Sequence, residues 1–404
     1  MGSPRGALKK AALHTFRFAA LNAVLWAGLV MPLTVESTQI RVALPVNAGL
    51  LRVVAGPGLK LEGLSPQRKL LRKRTSGKWT VEAGVKGIRV NGVPLLYFGL
   101  AVRVGSRQQA LKLNGRTYWG TLELRRVQNG SFQVINEVDL EDYVRGVVPA
   151  EMPFQWPMEA LKAQAVAARS FALHQRSVRS GALYDMEGTT DGQVYGGQGQ
   201  ETPRTNDAVK QTAGLVVAFN GEVAATFYHA VSGGMTEAGS EIWSLPDLPY
   251  LAGVACSYDK QAPMSSWVRV LGGGQIRSLL IQSGKDVGTV WGLMPGEKTA
   301  SGRFRFLRIV HSSGMLTLKG EEFRRVLGYD RVPSTRFEVE QVGNTFILQG
   351  SGSGHGVGMS QWGARELAQQ GRSFREILQF YYPGTEVIPV PQIKPSKKIS
   401  AANR

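Results

Sequence analysis

Leu140-Glu141-Asp142-Tyr143-Val144-Arg145-Gly146-Val147-Val148-Pro149-Ala150-Glu151-Met152-Pro153 is the stretch on which the fold turns. Leu140, Tyr143, Val144 and Val147 recur at i, i+3, i+4 and i+7, the spacing of one buried helical stripe, and Asp139 stands where a helix cap belongs. Pro149 is expected to end that helix, because the residue before a proline is pushed out of the α region. Pro157 then opens a second helix, expected over 157–176, with alanine at 160, 163, 165, 167, 168 and 172. Alanine on several faces lets neighbours approach closely, so this helix should be central and buried. Lys162, Arg169 and Arg176, one heptad apart, mark its more polar side. Between the two helices lies Glu151, in the company of Val147, Val148, Met152, Phe154 and Trp156. Apolar surroundings disfavour a charged carboxyl, so the Glu151 pKa should rise and the group can donate a proton to a leaving oxygen. The competing reading is a solvated acid at a helix entrance, favoured by the helix dipole.

Working outward, residues 40–138 read as short strands. Asn91-Gly92, Asn114-Gly115 and Asn129-Gly130 supply hairpin turns, since Asn and Gly tolerate positive φ. Phe132, Val134 and Val138 fall on one side of a strand that runs into Asp139. Past the alanine-rich helix, strands are expected at 215–220 and 222–230, joined by Asn220-Gly221. Leu251 to Ser257, around the sole cysteine Cys256, reads as a short apolar strand in which the thiol is core packing. Residues 264–347 are mixed, with an alternating Arg303-Phe304-Arg305-Phe306 strand and a short helix near 321–327. Helices at 361–370 and 374–381 follow. The fold class is therefore α+β: a mixed β-rich scaffold with a central Ala-rich helix and a substrate groove. Four regions emerge: a leader at 1–37, a β-rich part at 38–130, a main region at 131–388 with the mixed insertion at about 264–347, and a disordered basic tail at 389–404.

The chain has 404 residues, enough for one large or two medium domains, and carries 48 Lys+Arg against 30 Asp+Glu for a net charge of +18. Such a surface concentrates polyanions: nucleic acid, acidic headgroups or an anionic cell wall. The leader chooses among them. Arg5, Lys9, Lys10 and Arg17 precede an uncharged stretch at 18–33, the layout of an export signal or of an uncleaved membrane anchor. The expected location is outside the cytoplasmic membrane, in the periplasm or cell envelope, and nucleic acid is not an expected partner. The basic run Arg68-Lys69-Leu70-Leu71-Arg72-Lys73-Arg74 reads as a solvated face or a wall-binding patch. One cysteine allows no internal disulfide and no thiolate zinc cluster.

Three further stretches carry chemistry: Thr190-Asp191-Gly192-Gln193-Val194-Tyr195, Tyr228-His229-Ala230-Val231-Ser232-Gly233-Gly234-Met235-Thr236-Glu237, and Gly354-His355-Gly356-Val357-Gly358-Met359-Ser360-Gln361-Trp362-Gly363-Ala364. With the Glu151 motif and the Leu161 to Ser170 helix, and in this order, they resemble the SpoIID/LytB family of peptidoglycan-acting proteins over roughly residues 39–388. The resemblance implies binding to peptidoglycan glycan strands. It also implies one of two activities: lytic transglycosylase, leaving 1,6-anhydro products, or enhancer of a cell-wall amidase. On the first, the family's catalytic acid falls on Glu151. Some members bind zinc through a histidine at the position of His229 with nearby cysteines; here Met235 and Glu241 follow instead, so no metal or cofactor is expected. Trp362 and Tyr195 have faces suited to sugar rings. Gln164, Thr190, Gln193, Ser232 and Gln361 can bond hydroxyl or N-acetyl groups, and His229 and His355 stand beside glycines where backbone can approach a ligand. Each of these also has a structural reading, in core packing or in satisfying buried backbone. Asp191 and Glu237 are spare carboxylates. The glycines at 352–358 lack the spacing of a dinucleotide fingerprint and the Lys-Ser/Thr of a phosphate loop.

Overall fold

The computed structural model describes residues 38–390 apart from 56–59, 64–69, 73–76, 85–86, 96–98, 104–109, 128–129, 191 and 244–245. The leader, most of the basic run at 68–74, Asn129, Asp191 and the tail past 390 lie outside the described residues.

The amino-terminal part is built from two sheets. One runs, in spatial order, 186–187, Gln39–Ala48, Phe132–Asp139, Thr121–Arg126, Gly99–Arg103, Lys60–Gly63 and Leu70–Arg72. The other runs Arg116–Tyr118, Leu111–Leu113, Leu50–Ala55, Gly77–Gly84, Gly87–Val90 and Val93–Leu95. Alternating side chains from both, among them Val42, Leu51, Val53, Val81, Leu111, Leu124 and Val134, share a single core. Asn91, Asn114 and Asn220 adopt φ of 49°, 48° and 53°, each followed by a positive-φ glycine, so all three close two-residue hairpins.

Helix α1 (Leu140–Glu151) follows directly on its strand, with the Asp139 carboxylate accepting the Glu141 N–H. Its predicted stripe is buried. The expected stop at Pro149 is corrected: the helix continues two residues further, because a proline in the last turn removes a single donor and the Val148 carbonyl still accepts the Met152 N–H at 2.9 Å. That extra half-turn carries Glu151. Helix α2 (Met158–Val178) is buried from Ala160 to Ala172. Against its small side chains pack α1, α3 (Pro203–Gln211), the strand Leu215–Phe219 and, from much later in the chain, α7 (Gln361–Gln369) and α8 (Phe374–Tyr381). Between these come the single turn α4 (Gly239–Ile242), α5 (Gly273–Gln282) and α6 (Gly320–Leu327).

Arg169 does not mark a solvated side of α2. It is 0% exposed, and its guanidinium holds the Glu141 carboxylate through two bonds of 2.7 and 2.8 Å while also donating to the Leu215 carbonyl. One cation thus ties α1, α2 and the adjoining strand. The expected strand at 222–230 is likewise only two short pairs, 222–223 and 228–229. Between them the chain dives under α2, with the Thr226 hydroxyl donating to the Ala167 carbonyl. Residues 251–257 form no strand, although Cys256 is fully buried and its N–H reaches the Gly234 carbonyl.

Residues 267–350 carry a second, separate core. Two three-stranded sheets, Trp267–Gly272 with Thr345–Gly350 and Phe337–Val342, and Val290–Pro295 with Phe306–His311 and Gly314–Lys319, pack with α5 and α6 around Ile276, Leu280, Leu307, Phe323 and Phe346. The alternating strand begins at Phe306 rather than Arg303. The Arg303 guanidinium turns inward to the Ser232 and Met235 carbonyls, and Phe304 makes only an isolated bridge to Lys298.

Removing the Arg169 guanidinium leaves a partly buried carboxylate and a carbonyl without their donor, the situation in which one-sided loss of an ion pair is costly. Arg169→Ala should therefore lose about 3 kcal/mol in urea unfolding, and Arg169→Met with Glu141→Leu should recover most of that; equal loss in both variants would contradict the pairing as the cause.

Candidate active site

The last turn of α1 delivers Glu151 to the floor of a cavity of about 510 Å³. Its Oε1 accepts the Val194 N–H at 2.8 Å and its Oε2 accepts the Gln361 amide at 3.3 Å. The Tyr228 hydroxyl stands near enough to help hold negative charge there, without forming a hydrogen bond of normal geometry. Burial pushes the Glu151 carboxyl above its ordinary 4.5, and these donors pull it back without reversing the shift. The site therefore provides for both states of the acid: apolar surroundings favour the proton and aimed N–H groups favour the anion. Gln361, the first residue of α7, is itself oriented from behind by the buried Gln164, whose Oε1 lies 3.5 Å from its amide nitrogen.

Two distant segments supply the rest. Tyr228-His229 pairs in parallel with Met359-Ser360. The buried Asp259 carboxylate secures the junction by accepting the Ser232 N–H and the Ser360 hydroxyl. The glycines answer a steric demand: at Gly354, φ of 103°, a Cβ would lie 2.7 Å from that of His229, and at Gly358, φ of 72°, 2.0 Å from the Phe227 carbonyl oxygen. This close approach seats His355 edge-to-face on His229 with ring centres 5.8 Å apart. The backbone of Val357 sets both tautomers. Its carbonyl accepts from His229 Nδ1 at 3.1 Å, and its N–H donates to His355 Nδ1 at 3.0 Å. Burial holds His229 well below the ordinary 6.5 and His355 down to about 3, with the Arg303 and Arg324 cations adding to the effect. Both rings are neutral at physiological pH. His229 lines the cavity, and its Nε2, buried and without a hydrogen-bond partner, is left as a lone pair.

Of the residues singled out from sequence, Glu151, Thr190, His229, His355 and Gln361 line this cavity. Gln164 stands one layer behind. Gln193 accepts the Tyr143 hydroxyl at 2.8 Å, and Tyr195 donates to Asn136 Oδ1 at 2.9 Å; both are buried beneath α1 and away from the lining. Ser232 is fully buried in the Asp259 junction, and Glu237 accepts the Thr299 and Ser301 hydroxyls in a buried knot beside Arg303. Trp362 packs on Trp156 at 5.0 Å with the Arg365 guanidinium over it, outside the lining. Sequence reasoning missed Tyr228 and Trp243, which line the cavity, and the whole opposite wall, built by Phe304, Arg305, Lys319, Arg325 and Tyr329 from the second core. Tyr228 opens a motif already quoted. The wall residues meet the site through folding alone, and no local pattern marks them.

The zinc that the family resemblance raises does not fit these residues. Cys256 is buried against the Tyr381 hydroxyl at 3.3 Å, and among the described residues no three His, Cys, Asp or Glu side chains come together as a donor set.

A family model described as stage II sporulation protein, SpoIID, matches residues 128–219, and one described as a domain of unknown function matches 257–358. The chain is 34% identical over 303 residues to an uncharacterized protein of Brachyspira hyodysenteriae, covering 75% of this chain and 80% of the relative. It is 32% identical over 275 residues to stage II sporulation protein D of Bacillus subtilis, covering 63% and 76%. Against the amidase enhancer of the same organism, identity is 32% over 332 residues, with 69% of this chain but 45% of the enhancer covered. With three quarters of stage II sporulation protein D matched, and its family model falling on the segment that carries α1, Glu151, α2 and Val194, the chain belongs to the SpoIID family.

Proposed function

We propose that this protein is an exported, peptidoglycan-binding lytic transglycosylase that cleaves the MurNAc-GlcNAc bond of glycan strands to 1,6-anhydroMurNAc products, with Glu151 as its acid and base. Family membership supports a cell-wall role, and the basic leader ahead of the uncharged stretch at 18–33 supports export. One observation carries the catalytic reading: among the described residues lining the cavity, Glu151 is the carboxyl without a cation. Glu241 is held by Arg305, Glu321 by Arg324 and Glu322 by Lys285. A carboxyl whose burial raises its hold on a proton, at the floor of an open cavity, is what general acid catalysis requires.

In the reaction, Glu151 transfers its proton to the glycosidic oxygen as the C1–O bond breaks. The muramyl 6-hydroxyl attacks C1, and its proton returns to the Glu151 carboxylate. No water is consumed, so a single carboxyl suffices where a hydrolase needs two. Between the two transfers Glu151 is an anion, and the Val194 N–H and the Gln361 amide are already aimed at it. The exposed lip at Thr190 and the ring of Trp243, which lines the cavity with one face stacked on Phe227, offer surface for a sugar ring. Alternatively, the same cavity seats glycan without cutting it and the protein stimulates a cell-wall amidase; the likeness to the amidase enhancer favours this second reading.

Mass spectrometry of sacculi, intact and amidase-stripped, should show anhydro-muramyl products with the mature protein and about a thousandfold slower release with Glu151→Gln. Binding without products in both substrates moves the assignment to the enhancer. Because the acid form starts the reaction, kcat/KM should fall as pH rises through the elevated Glu151 pKa. Gln361→Leu, which deletes a donor to the anion, should lower kcat and move that alkaline limb to higher pH; an unmoved limb would separate it from Glu151.

A further inference from the structure

We infer that the module carrying the second core gives the cavity a carboxylate-binding subsite, formed by Lys319 and Arg325, that recognises anionic groups spaced along the glycan strand. The inference rests on the glycan-binding reading above and extends it to a segment that matches a domain of unknown function.

The cavity wall opposite Glu151 is rich in charge, and most of it is spent internally. Arg305 is bound to Glu241, with its Nε 2.6 Å from Oε2, and also to Glu297. Arg324 donates to the Val332 and Pro333 carbonyls and to Glu321. Glu322 takes Lys285 at 2.7 Å. When these pairs are set aside, the lining retains two cations, Lys319 and Arg325. Both are exposed and, among the described residues, neither has a carboxylate partner. They stand at the two ends of one short structural run, Lys319 as the residue that caps α6 and Arg325 within it, so the spacing between them is fixed by the helix. Glu151 supplies the remaining unpaired carboxyl, and burial disfavours its charge, so the open cavity carries an excess of positive charge on one wall.

Arg325 also faces a second cavity, of about 410 Å³, between α5 and α6. Glu322 and Arg325 line both, so the two cavities adjoin at α6. A polymer with repeating carboxylates suits this arrangement, with an apolar ring face against Trp243 near the reacting bond and acidic groups on the module side. In glycan strands those carboxylates come from the lactyl group of a peptide-free muramyl residue or from a stem peptide. The same cation pair accommodates either.

Binding is best read in full-length protein carrying Glu151→Gln, so that turnover plays no part and failure of the transglycosylase reading leaves the test intact. The probes are soluble amidase-stripped glycan strands, strands bearing stem peptides, and an uncharged N-acetylglucosamine oligomer of matched length. Adding Lys319→Ala and Arg325→Ala should weaken carboxylate-bearing strands about tenfold at low salt, the order expected of two exposed ion pairs, and leave the uncharged oligomer unchanged. The difference should close as salt is raised. Loss on stripped strands identifies the lactyl carboxylate as the ligand, and loss confined to peptide-bearing strands identifies the stem peptide. Equal loss on the uncharged oligomer, or no loss on either charged strand with unaltered thermal unfolding, overturns the subsite.

Discussion

Segments about 130 residues apart meet where Tyr228-His229 lies parallel to Met359-Ser360, and the site depends on that short junction. Two residue pairs cannot by themselves offset the entropy of closing so long a loop, although that cost grows only slowly with length. The junction is held instead by buried polar groups that have nowhere else to go. Asp259 takes the Ser232 N–H and the Ser360 hydroxyl, Arg303 takes the Ser232 and Met235 carbonyls, and Glu237 takes Thr299 and Ser301. Each would be costly if left unpaired, so the arrangement is nearly all-or-none. The glycines from 352 to 358 let backbones pass closely enough for the pairing to form. Its products are the edge-to-face His229 and His355, and a start for α7 that places Gln361 beside Glu151.

Glu151 itself is poised by opposing forces from separate parts of the chain. The apolar end of α1 and the core beneath it raise its affinity for a proton. Val194, from the loop after the 186–187 strand, and Gln361, from the junction, lower it. The buried Gln164 on α2 stiffens Gln361, so the alanine-rich helix that organises the core also reaches the reacting group through one amide. Preorganised donors of this kind act without rearranging as charge develops, which is the reason to place them on packed elements rather than on loops.

Much of this was legible in the sequence wherever a period or a backbone rule applied. The α1 stripe, the Asp139 cap, the Asn-Gly hairpins and the small-residue α2 follow from spacing and from what Asn, Gly and Ala permit. A proline rule applied without its context placed the end of α1 too early, because a last-turn proline forfeits one donor and no more. Arg169 was misplaced since a heptad of cations cannot tell a solvated guanidinium from one buried on Glu141. Gln193 and Tyr195 sit in a motif that borders the cavity, yet their side chains alternate inward to Tyr143 and Asn136; motif membership does not fix direction. The cationic wall of Lys319, Arg324 and Arg325 was illegible because it joins Glu151 only through tertiary folding.

Catalysis by Glu151 requires a glycan strand to lie with its scissile bond against that side chain. The most direct measurement is a crystal structure of the Glu151→Gln protein with a bound glycan tetrasaccharide. The expected result is a glycosidic oxygen within hydrogen-bond distance of side chain 151, with a sugar face against Trp243. A strand seated elsewhere, for instance over Trp156 and Trp362 with position 151 untouched, would contradict it.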